Sequence, residues 1–126
     1  SFEKLKIKKI AILTPYSKVV NKMVFDYLIN KEIEIDNFSG FNLEYDSDIA
    51  KVDPQHLIKT IKNIDHSAVD AIFISCTALR IVEVLQEAED LIKKTVISSN
   101  QAIIWDSIRS VEIKSSIEGF GKLLLN

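Results

Sequence analysis

The chain has 126 residues, 47% hydrophobic and 27% charged, with a formal net charge of −2. That describes one globular domain with a core of its own, and the slight acidity argues against a nucleic-acid-binding surface, which is ordinarily basic. No apolar stretch nears the ~20 residues that cross a bilayer, the lysine-rich start lacks a signal segment, and a lone cysteine fits the expected cytoplasmic location.

The first residue is Ser1 rather than Met, as a tag remnant, a processing site or a cut within a longer protein would leave it. Lys4, Lys6, Lys8 and Lys9 form the only dense basic run. They alternate with Leu5 and Ile7, which reads as an approach to a strand rather than a phosphate site. Lys9 to Leu13 is a continuous apolar run, as in a parallel strand buried on both faces. Thr14-Pro15-Tyr16-Ser17 breaks it. Val19, Val20, Met23, Val24, Tyr27 and Leu28 then recur at helical spacing and predict a helix with one apolar face, ended by Asn30-Lys31. Ile33 to Phe38 alternates, as a more exposed strand does. Gly40 to Asp53 reads as a long Asp- and Asn-rich loop.

Asp53-Pro54 opens a second helix, with Asp as cap and Pro at the first helical position. Its buried stripe is Leu57, Ile58, Ile61 and Ile64. Val69 to Ile74 is the third strand. Thr77 is expected to cap the next helix, whose inward residues are Leu79, Val82, Leu85, Ala88 and Ile92. Thr95 to Ser98 is a short fourth strand, and Ser99 or Asn100 is expected to cap a last helix reaching Val111. A tail follows, holding Gly119-Phe120-Gly121 and Leu123-Leu124-Leu125. Strands and helices thus alternate four times. The fold class is α/β: a four-stranded parallel sheet in the order 2-1-3-4, with right-handed crossovers and helices on both faces. The switch point falls between the first and third strands. Ligands bind at the carboxyl ends of strands there, so Thr14-Pro15-Tyr16 and Ser75-Cys76-Thr77 should share one crevice.

Cys76 at such a strand end has two readings. It is a nucleophile or proton carrier, or it is a small buried hydrophobe, as free cysteine often is. Tyr16 either donates to a ligand carboxylate or packs at the strand end. Ser75 either donates to a ligand or closes a turn. Other sites fail on spacing. Three residues separate Cys76 from Arg80, where a phosphatase loop needs five. Three glycines, two of them in the tail, supply neither a dinucleotide fingerprint nor a P-loop. His56 and His66 stand far apart at helix ends, and no metal site is expected.

Four motifs in order resemble one family. They are Ile10 to Tyr16 followed by Val20-Asn21; Phe73 to Arg80; Ser98-Ser99-Asn100-Gln101-Ala102 with Trp105; and Gly119 to Leu124. The chain is similar to the aspartate/glutamate racemase superfamily, in its branch of maleate cis–trans isomerases and arylmalonate decarboxylases. The resemblance runs from about Lys9 to Leu124 and implies the second of two facing α/β domains. It implies cofactor-free chemistry on a small carboxylic acid, with Cys76 as the second-domain acid–base cysteine and Tyr16 as a carboxylate donor. Pro15, Ser75 and Thr77 would line the substrate site. Where the family has an asparagine in the loop after the second strand, this chain aligns Asp46, whose charge would oppose a dicarboxylate. Residues 1–112 would form the domain, and 113–126 a tail packing on the missing first domain. That domain or a partner chain is the expected partner, and apolar surface left by its absence implies a homo-oligomer. The alternative is a non-catalytic half-domain that binds a small acid or serves assembly.

Overall fold

The computed structural model describes residues 1–126. The elements are β1 (Lys9–Thr14), α1 (Lys18–Asn30), β2 (Glu34–Gly40), α2 (Asp46–Ile49), α3 (Pro54–Asn63), β3 (Ala71–Ile74), α4 (Leu85–Ile92), β4 (Thr95–Ser98), α5 (Ser99–Ser110) and a 3-10 turn over Lys122–Leu125. The four strands form one sheet in the order β2-β1-β3-β4, and every pair is parallel. The apolar runs explain the order. Every residue of β1 from Ile10 to Thr14 is buried, as a central strand demands. The alternating β2 sits at the edge, with every second residue exposed.

The two faces of the sheet are unequal. One carries 17 buried residues, with α3 and α4 laid over β1, β3 and β4. The other carries eight, beneath α1 and α5. On that thinner side α1 buries Asn21 and Leu28, but its opposite flank is apolar as well. Val19, Met23 and Tyr27 recur every fourth residue and are 74%, 68% and 63% exposed. The single inward apolar face expected from periodicity is therefore split, and most of it looks outward.

Three local expectations are corrected. Thr77 caps no helix: residues 77–84 are turns and bends, and α4 begins only at Leu85 behind Val84. Leu79 and Ile81 are buried at a period of two, so this stretch reaches the core as irregular chain rather than as a helical stripe. The cap of α5 is Ser98, neither Ser99 nor Asn100. Ser98 accepts from Gln101 N–H at 3.2 Å, and the Gln101 side chain accepts from Ser98 N–H at 3.0 Å, a reciprocal capping box. The long loop after β2 contains the short helix α2, pinned by the buried Ile49.

The end of the chain docks on this domain. Leu123 and Leu124 are buried. The carboxylate of Glu89 accepts from the N–H groups of Val96 and Lys122 at 2.8 Å each. Gln86 accepts from Gly121 N–H at 3.0 Å, and the Gln101 amide donates to the Phe120 carbonyl. Gly121 is required here. Its φ of +83° and ψ of 167° suit only glycine, and a Cβ would strike Leu85 and Gln101. Residues 113–116, 118 and 120 remain exposed.

Candidate active site

The site lies at the carboxyl ends of β1 and β3, where neighbouring strands send their connections to opposite faces. After β1 the chain turns through Pro15 and Tyr16. Pro15 is buried, and its carbonyl accepts from Leu43 N–H at 2.7 Å, which ties the turn to the loop after β2. Asn21 braces the same turn from inside α1. Its amide donates to the Tyr16 carbonyl at 3.1 Å, and its carbonyl oxygen accepts from the Thr14 hydroxyl. Both Thr14 and Asn21 are buried, so these bonds satisfy groups that would otherwise be costly.

After β3, Ser75 N–H donates to the Leu13 carbonyl at 3.0 Å and extends the β1–β3 ladder by one residue. Cys76 then adopts a φ of +138°. A side-chain-bearing residue in that region stores about 1–3 kcal/mol of strain, and such residues concentrate at functional sites. The Cys76 thiol is buried, and Ala78 N–H donates to its sulfur at 3.4 Å. The donor at the thiol is thus a turn amide rather than a helix terminus.

Tyr16 is half-buried, and its hydroxyl lies beside the Ser75 and Cys76 side chains, close enough for both to influence its proton. Burial pushes the phenol above its ordinary value. Ser75 opposes this, while Cys76 and the nearby charge of Asp46 add to it. Tyr16 therefore stays a neutral donor through the physiological range. Asp46 itself is exposed at the start of α2. Of the six residues singled out from sequence, Pro15, Tyr16, Ser75 and Cys76 converge on the switch point, and Asp46, in the connection after β2, lies near enough for its charge to act on Tyr16. Thr77 is exposed, and its carbonyl rather than its hydroxyl is engaged, by Asn100 at 3.2 Å. No three His, Cys, Asp or Glu side chains gather as a metal-binding group.

Two residues escaped sequence reasoning as parts of the site. Ser99 accepts from Cys76 N–H at 3.2 Å, and Asn100 holds Thr77. The signal was available: with β4 beside β3, the segment that follows β4 must lie beside the segment that follows β3.

The sequence pattern of the family described as arylmalonate decarboxylase matches residues 1–124. The chain belongs to that family. Within it, the chain is 27% identical to a maleate isomerase of Geobacillus stearothermophilus, over 93% of its own length and 47% of the relative's. It superposes on the maleate isomerase of Pseudomonas putida S16, solved as a cysteine-to-alanine variant with maleate, at a TM-score of 0.94 and 26% identity; the match covers 98% of this chain and 50% of that one. The Nocardia farcinica maleate cis–trans isomerase, solved with a covalently bound succinylcysteine intermediate, shares the fold at a TM-score of 0.93 and 20% identity, over 98% and 51% of the two chains. The chain thus spans about half the length of these relatives. No helix in it is long and apolar enough to cross a membrane.

Proposed function

We propose that this chain forms the Cys76-bearing half of a cofactor-independent isomerase of the maleate isomerase type. The observation that carries the reading is the strained Cys76 at the switch point, with the neutral Tyr16 hydroxyl beside its thiol. The substrate is a small unsaturated dicarboxylic acid such as maleate. A cysteine thiolate of the other half adds to one alkene carbon, and the Cys76 thiol gives its proton to the adjacent carbon. The new C–C single bond rotates. The Cys76 thiolate takes a proton back, the first thiolate departs, and the trans alkene remains. Tyr16 and Ser75 donate to the carboxylate that carries negative charge along the way, where preorganised donors are most effective. Asp46 opposes a second carboxylate, so that group is directed toward the other half.

The other half is a second α/β domain, in the same polypeptide or in a partner chain. The open carboxyl edge of the sheet and the bare Val19-Met23-Tyr27 flank of α1 are the surfaces available to it or to a second copy. Residues 113–116 and 118 are the part of the tail whose side chains face solvent and are available to that contact. The test is Cys76→Ala in the complete protein, with conversion of maleate to fumarate followed by ultraviolet absorbance. Turnover should fall by about 10²–10⁴-fold, the usual contribution of a proton carrier, while circular dichroism stays unchanged. Wild-type turnover in that variant would overturn the assignment.

A further inference from the structure

The strain at Cys76 needs a restraint, and the structure shows where it comes from. A residue at φ +138° persists only when its surroundings over-determine it. β1 restrains the entry to the turn through the Ser75 N–H bond to Leu13. The rest of the restraint comes from the β4–α5 junction. Ser99 takes the N–H of Cys76, and the Asn100 amide takes the carbonyl of Thr77, so the peptide units on both sides of the Cys76–Thr77 pair are held. Ser99 and Asn100 are themselves fixed, because the neighbours that frame them, Ser98 and Gln101, are fully buried and joined in the capping box.

Asn100 also carries the one buried side-chain atom in the chain without a hydrogen-bond partner, its Oδ1. The bond to the Thr77 carbonyl requires the NH2 group on that side, which leaves the acceptor stranded. A buried unpartnered acceptor detracts from stability. Asn100 is therefore a poor choice for folding alone, and its visible contribution is the bond to the cysteine turn.

We propose that Ser99 and Asn100 are positioning residues which clamp the Cys76 turn and fix the direction and accessibility of its thiol. The role in catalysis rests on the function proposed above; the clamp itself does not. The test is alkylation of Cys76 by iodoacetamide in the full chain at constant pH, followed by mass spectrometry of the peptide that carries it. Variants Ser99→Ala, Ser99→Thr, Asn100→Asp and Asn100→Ala are compared, each with its urea-unfolding midpoint. Cys76 is only 6% exposed, so loosening the turn admits the reagent faster. Losing one such hydrogen bond raises the open population about three- to tenfold, and alkylation of Ser99→Ala and Asn100→Asp should accelerate by that factor. Ser99→Thr keeps the hydroxyl and should return the rate to within about twofold of wild type. Asn100→Ala removes the stranded acceptor too, so it should accelerate alkylation without lowering the urea midpoint. Unchanged alkylation in both Ser99→Ala and Asn100→Asp overturns the clamp, as does acceleration that merely tracks a lowered midpoint. Should one serine variant fail to fold, the asparagine pair decides alone. Alkylation reads the turn and maleate turnover reads the function, so either conclusion can fall while the other stands.

Discussion

Gly121→Ala, set against Gly119→Ala, separates backbone strain from packing at the end of the chain. Both glycines have a φ of +83°, but their surroundings differ. A Cβ at Gly119 meets nothing within 4 Å, so only the left-handed backbone is charged, about 1–2 kcal/mol. A Cβ at Gly121 falls on Leu85, sits 2.8 Å from Gln101 Nε2 and 3.3 Å from Glu89 Oε2. Those three side chains are buried and hydrogen-bonded or packed, so none can step aside freely. Strain of about 1–3 kcal/mol and overpacking of about 1–3 kcal/mol then add. The chain can limit the damage by releasing residues 119–126, but it then exposes Leu123 and Leu124, each stabilising by about 1.5–3 kcal/mol when buried. The first route gives a loss of about 2–6 kcal/mol and the second about 3–6 kcal/mol, either one a large part of a total near 5–15 kcal/mol. Urea unfolding by circular dichroism measures the loss. The single tryptophan, Trp105, donates to the Asn126 carbonyl at 2.9 Å, so its fluorescence reports whether the tail has left. Equal losses for the two variants, to within about 0.5 kcal/mol, would refute the packing account.

The buried Glu89 carboxyl is pushed above its ordinary value by burial, against the pull of the Val96 and Lys122 amides. The folded state therefore binds this proton more tightly than the unfolded chain, and Glu89's contribution to stability falls as pH rises from the ordinary glutamate range through the raised value. Glu89→Gln should flatten that part of the stability–pH profile, and should leave either the buried Val96 N–H or the part-buried Lys122 N–H without its acceptor, at a loss of about 1–3 kcal/mol; a steeper fall in the variant would contradict the sign. Tyr16→Phe removes the donor beside Cys76, and in the complete protein maleate turnover should drop by about 10²–10³-fold with little change in the urea midpoint. Asp46→Asn removes a charge that opposes a dicarboxylate, so KM for maleate should fall by about three- to tenfold with kcat nearly unchanged, whereas a raised KM would mean that the carboxylate assists binding.

The carboxyl-edge site was legible because its parts sit at strand ends, and strand ends are marked by where apolar runs stop. Ile74-Ser75-Cys76 and Leu13-Thr14-Pro15 are such stops, and pairing β1 with β3 brings them together. The resemblance in the four motifs reached the same residues independently. The α4 start was not legible, because Leu79, Val82, Leu85 and Ala88 satisfy a helical period although the first half of that stretch is irregular chain. Buried residues on irregular chain imitate a helix whenever their spacing happens to be three or four.

What the sequence by itself determined is the strand order, the central place of β1 and the edge place of β2. The order rests on the alternation of strands and helices with right-handed crossovers, and the places of β1 and β2 on local hydrophobic pattern, since a strand covered on two faces must be apolar throughout and an edge strand need not be. What only the tertiary structure decided is which hydroxyl caps α5, what holds Cys76, and which flank of α1 is left bare. Ser98, Ser99 and Asn100 are equally good caps by residue type; the choice was made when β4 settled beside β3 and brought the Cys76 N–H and the Thr77 carbonyl within reach of Ser99 and Asn100. A polar side chain's partner is set by distance in space, and hydrophobic periodicity carries no information about which of several unpaired backbone groups will arrive beside it.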